Sequence, residues 1–104
     1  MNKFILGLIT VLSFQSALAQ CLGEAQIIAK VKGIQEMGSA CYAEIDTATV
    51  RFYQPSGVCP LDLGEVIRVG VKGEMVTEFQ CSYKAGDELN GVLVLDRNGD
   101  IILE

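Results

Sequence analysis

The chain has 104 residues, with 13 Asp and Glu against 8 Lys and Arg, a formal charge of −5, four Cys, and neither His nor Trp. Without histidine it holds no Ser-His-Asp or Cys-His site and no His-ligated zinc. The excess of acid argues against nucleic acid as a partner, because a phosphate backbone is held by neutralising its charge.

Met1-Asn2-Lys3 gives a short positive start, and Phe4 to Phe14 runs apolar except for Gly7, Thr10 and Ser13. Ala17-Leu18-Ala19 then supplies small residues at the two positions that a signal peptidase reads. Residues 1–19 are expected to be a secretory signal peptide. The apolar run falls short of the roughly 20 residues that span a bilayer, so no stable membrane insertion is expected. Gln20, which is not small, precedes Cys21 and disfavours lipidation there. Removing residues 1–19 leaves residues 20–104, a single small β domain of 85 residues with a formal charge of −6, exported to a periplasm or secreted.

Cys21, Cys41, Cys59 and Cys81 all follow the cleavage site, and export delivers them to a compartment where disulfides persist. No two lie closer than 18 positions, so there is no Cys-x-x-Cys for a zinc knuckle or a redox pair. They are expected to form two structural disulfides. A meander of strands favours Cys21 with Cys59 and Cys41 with Cys81.

In Ala25 to Lys32 the apolar residues fall at 25, 27, 29 and 31, the period of a strand with one buried face. Gly33 shifts the phase, as a bulge or strand end does, and Glu36-Met37-Gly38-Ser39 supplies a turn. Ala40 to Tyr53 is rich in β-branched and aromatic residues and reads as one long strand bent near Asp46-Thr47-Ala48. Gln54 to Pro60 holds both prolines of the chain and is a loop. Ile67, Val69 and Val71 alternate with Arg68, Gly70 and Lys72 as a third strand, and Lys72-Gly73-Glu74 is expected to turn into a fourth over Val76 to Tyr83.

Residues 85–91 form a second polar loop, with at most one helical turn over 85–90. Val92-Leu93-Val94-Leu95 is apolar on both faces, as in a central strand. Asn98-Gly99 predicts a two-residue type I′ hairpin, with Arg97 and Asp100 facing each other as a weak ion pair. The fold expected is all-β: a small, five- to six-stranded antiparallel, partly closed barrel of the oligonucleotide/oligosaccharide-binding (OB-like) type, with a two-sheet β-sandwich as the alternative.

No catalytic or metal-binding residue and no cofactor is expected. Asp96, Asn98 and Asp100 alternate as in the opening of a calcium loop, but Ile101 stands where such a loop needs glycine. The acidic pairs Glu44 with Asp46 and Asp87 with Glu88 read as solvated turns. Binding is the favoured function: a non-catalytic module contacting a protein or a cell-envelope component. The face singled out comprises Arg51, Tyr53 and Arg68 with Pro55 and Val58 of the proline loop. Phe52 and Tyr53 are consecutive, so one ring points inward and the other outward. The alternatives are a small secreted inhibitor using that loop or the mature amino terminus as a wedge, a weak calcium-binding protein, or an enzyme using acidic turns.

Overall fold

In the computed structural model, which describes residues 22–104, the apolar alternation after Gly23 becomes the long strand β1 (Glu24–Met37). Ala25, Ile27, Ala29 and Val31 are buried on its inner face. The ladder slips between Val31 and Gly33, so the phase shift is a bulge and the strand continues past it to the turn at Gly38-Ser39. The expected signal peptide, its cleavage site and Cys21 lie outside the described residues.

The second segment is two strands in line, where the sequence suggests one bent strand. β2 (Ala40–Ile45) pairs with the far half of β1, and β3 (Phe52–Pro55) pairs with its near half on the other side of a break. The break falls where the bend is expected. Residues 46–51 stand opposite only Ala29 and Lys30, because Ile45 faces Val31 and Phe52 faces Ile28. A single 3-10 turn, Thr47–Thr49, takes up the excess. Asp46 caps it through Ala48 N–H, and Thr49 Oγ1 accepts the N–H of Lys30 at 2.9 Å, replacing the ladder bond that the excursion removes.

The third strand is corrected in its first half: residues 63–69 are helical. Helix α1 (Leu63–Val69) starts at Asp62, whose carboxylate accepts Gly64 N–H, carries Glu65 in its first turn, and stops at Gly70, where φ is 84°. Only a residue without Cβ takes that conformation at no steric cost, and a Cβ there would lie 3.0 Å from Ala43 O on β2. Val66 is fully buried in the core, and Leu63 and Val69 of α1 pack against it, partly buried.

Lys72-Gly73-Glu74 is also corrected, from turn to strand. β4 (Val71–Thr77) runs through it, the chain reverses at Glu78-Phe79, and the expected fourth strand shrinks to β5 (Gln80–Cys81). Gly73 serves close approach, since a Cβ would stand 2.7 Å from the ring of Tyr83. Residues 85–90 hold no helical turn. A tight turn at Ala85-Gly86 leads into β6 (Glu88–Leu95), which starts four residues before its apolar run.

β7 (Ile101–Leu103) closes the terminal hairpin, whose loop is longer than two residues because Leu95 faces Ile101. Gly99 has φ 86°, while no residue other than glycine has positive φ among the described residues, so the turn is not type I′. Asp96 organises it instead, its Oδ1 accepting N–H from Asn98 at 2.9 Å and Asp100 at 3.0 Å.

The strands close in the order β1-β2-β4-β7-β6 and back to β1, with β3 beside β1 and β5 beside β4. This is a closed five-stranded barrel and not a sandwich. It is mixed rather than wholly antiparallel, because β4 and β7 run parallel where Val71 meets Ile101. Small and large residues alternate on the inner wall (Ala25, Ile27, Ala29, Val31), which suits a narrow barrel filled by its own side chains. Cys41 and Cys81 form a disulfide with their Cα atoms 6.0 Å apart, as expected. Cys59 is also disulfide-bonded, and its expected partner, Cys21, lies outside the described residues.

Candidate binding site

The loop after β3 folds back over the start of β1. Ser56 N–H donates to Glu24 O at 2.9 Å, Glu24 N–H to Cys59 O at 2.8 Å, and Leu61 N–H to Glu24 O at 3.1 Å. Within the loop, Ser56 Oγ accepts the N–H of Val58 at 3.2 Å and of Cys59 at 3.4 Å. Both ends and the middle are therefore tied, and the disulfide at Cys59 adds a covalent tether. On this frame Val58 is 74% exposed, an apolar side chain held out in solvent by a backbone with little freedom.

Tyr53 supports the loop from below. Of the two adjacent rings, Tyr53 packs against the core and Phe52 faces out, 42% exposed. The Tyr53 hydroxyl donates to Leu61 O at 2.6 Å, and burial, aided by the charge of Asp62, pushes its pKa up to about 12. The phenol is thus a neutral donor at any ordinary pH.

The two arginines are placed apart. Arg51 reaches Glu88 at 2.6 Å, against the β1–β6 side of the barrel. Arg68 is bound to Glu65 one turn back on α1, with Nη2 2.8 Å from Oε2, and lines an open groove of about 460 Å³ with Leu22, Pro60 and Leu61. Pro55 lines a different groove of about 320 Å³ with Ser56, Gly57 and Gln54. Pro55 and Val58 therefore belong to the loop, Arg68 lines a groove at its Pro60 end, Tyr53 lies beneath it, and Arg51 stands off from it. Ser56, which holds the loop, has no signal in the sequence beyond its place between a proline and a glycine.

The acidic turns are engaged in folding. Asp100 does not face Arg97; its carboxylate accepts from Tyr42 Oη at 3.0 Å and Lys72 Nζ at 3.1 Å, tying the terminal hairpin to β2 and β4. The hydrogen bond from Lys72 holds the Asp100 carboxyl below its ordinary pKa, and the same network raises the pKa values of Lys72 and Tyr42. Asp87 Oδ2 accepts Lys84 N–H, and Glu88 holds Arg51. Among the described residues no three His, Cys, Asp or Glu side chains are grouped to hold a metal ion, and no helix is long and apolar enough to cross a membrane.

Comparison with protein-family models, curated proteins and solved structures finds no match for this chain.

Proposed function

We propose that the protein is an exported, disulfide-stabilised β-barrel module that binds a protein or a cell-envelope component through the Pro55–Pro60 loop and carries no catalysis. The observation behind it is the presentation of Val58: a loop tied to β1 at Ser56, Cys59 and Leu61 holds an apolar side chain 74% exposed. A loop already fixed loses little conformational entropy when a partner closes over it, so its exposed apolar area is available for affinity. Pro55 lines a groove with the start of the loop, and Arg68 one with Pro60 at its end. Disulfides persist in oxidising compartments, and the Cys41–Cys81 bond supports a periplasmic or secreted location.

The test is capture from an envelope or culture extract with the mature protein and its Val58→Asp variant. A partner recovered by the parent and lost by the variant, at unchanged thermal midpoint, is expected. Equal recovery by both proteins would remove the loop from the interface.

A further inference from the structure

We propose that Asn98-Gly99 is a self-modifying site: in the folded protein Asn98 reacts with water to give aspartate and isoaspartate, and the isoaspartate loosens the terminal hairpin. Asparagine is a thermolabile residue, because its side-chain amide carbon lies within reach of the next residue's backbone nitrogen. A following glycine, having no Cβ, leaves that nitrogen unshielded. The chain holds two such pairs, Asn90-Gly91 and Asn98-Gly99. As dipeptides they are equivalent, and the fold separates them.

Gly91 lies in β6, which pairs with β1 on one side and β7 on the other. Val92 exchanges both of its backbone hydrogen bonds with Glu104, at 3.3 and 2.8 Å, so the amide of Gly91 before it faces β1, where Gly91 stands opposite Ile27. The position is also crowded, since a Cβ on Gly91 would stand 2.8 Å from Glu104 O. Closing a ring between the Asn90 side chain and the Gly91 nitrogen therefore requires the barrel to open. Asn98 and Gly99, by contrast, are both exposed in the terminal hairpin turn. Nothing lies within 4 Å of a Cβ built on Gly99, and the Asn98 side-chain amide has no hydrogen-bond partner among the described residues. The Gly99 N–H donates to Asp96 O at 3.1 Å, and local opening of an exposed turn releases that bond far more readily than the barrel opens.

The reaction balances with water as the sole co-reactant. The Gly99 nitrogen gives up its proton and bonds to Asn98 Cγ; the bond from Cγ to the side-chain nitrogen breaks, and ammonia leaves with that proton. Water then opens the resulting cyclic imide at either carbonyl. Opening at Cγ restores the main chain and leaves aspartate. Opening at the main-chain carbonyl of residue 98 leaves isoaspartate, whose backbone runs through the former side chain and is longer by a methylene. Both products place a new negative charge between Asp96 and Asp100. Only isoaspartate lengthens the segment joining them. The spacing of that segment sets the bonds of 2.9 and 3.0 Å from the N–H groups of Asn98 and Asp100 to Asp96 Oδ1, and it aims Asp100 at Tyr42 and Lys72. Lengthening it loosens the tie of the hairpin to β2 and β4.

The test incubates the purified protein at neutral pH, folded and in guanidinium chloride, and follows both asparagines by peptide mass spectrometry. In the denatured chain Asn90 and Asn98 should convert at similar rates. In the folded protein Asn98 should gain the mass of an amide turned into a carboxyl at least about tenfold faster than Asn90, and Asn98→Gln should show no gain at that peptide over the same time. Isoaspartate is told from aspartate by electron-transfer fragmentation. The isoaspartyl protein should melt below Asn98→Asp, which carries the same charge without the added methylene. Equal rates at the two sites in the folded protein, an Asn98 that stays unchanged while the denatured chain reacts, a gain that survives in Asn98→Gln, or an isoaspartyl form as stable as Asn98→Asp would overturn the proposal.

Discussion

Tyr53 joins β3 to the chain leaving the loop with one hydrogen bond, and its burial decides how that bond behaves with pH. Tyr53→Phe removes the donor to Leu61 O and should cost about 1 kcal/mol at neutral pH, measured by urea denaturation. The phenol's folded pKa, about 12, lies above its ordinary 10.0, so the contribution is complete below pH 10 and is lost as pH rises toward 12. The stability gap between parent and Tyr53→Phe should therefore narrow above pH 10; a constant gap would mean the hydroxyl is not buried as described. Asp100 has the opposite sign. Its folded pKa is depressed below the ordinary 3.8 by Lys72, so its contribution is present above that value and lost as pH falls through the lower one. Asp100→Asn should be less stable than the parent at neutral pH, and the two denaturation midpoints should converge in acid.

The helix and the terminal hairpin carry the element-scale tests. Asp62→Ala takes away the α1 cap and should cost about 1 kcal/mol, read from the thermal midpoint. In the hairpin, Gly99 alone has positive φ, so Gly99→Ala should cost about 1 kcal/mol and Asn98→Ala almost nothing. Equal losses at both positions would restore the type I′ turn.

These same elements mark how far the residues alone could be read. β1, its bulge at Gly33, the turn at Gly38 and the barrel class were legible, because alternation along one buried face is a local signal. Helix α1 was not, because Ile67, Val69 and Val71 alternate by coincidence across a helix end. The better signals were Asp62 with Glu65 three residues later and Gly70 as the stop. Lys72-Gly73-Glu74 misled because glycine between charges marks a turn as readily as a close approach, and only Tyr83 packed over it decides which. Of the proposed binding face, Pro55 and Val58 could be seen in the loop composition. That Tyr53 rather than Phe52 points inward follows from cross-strand register, which sets Tyr53 opposite buried Ile27 and which a single sequence does not display.

At the scale of the molecule, the barrel is closed by non-local pairings. β4 meets β7 across the whole β5–β6 excursion, and Cys41 meets Cys81 across a separation of 40 residues. On the chain-entropy model a cross-link of that span contributes about 4 kcal/mol, a large fraction of what a domain this small can hold. Cys41→Ser with Cys81→Ser should lower the denaturation free energy by about that amount, and a change under about 1 kcal/mol would show that the barrel closes without it. A frame stapled in this way can hold the Pro55–Pro60 loop rigid, which is what the proposed function requires of it.

The most direct measurement places a photo-crosslinking phenylalanine analogue at position 58, and in a second protein at exposed Lys32, roughly 26 Å further along β1 from the loop. Each is irradiated in the exporting cells. A discrete adduct with one partner from position 58, absent from position 32, is the expected result. No adduct at position 58, or the same adduct from both positions, would contradict a binding role for the loop.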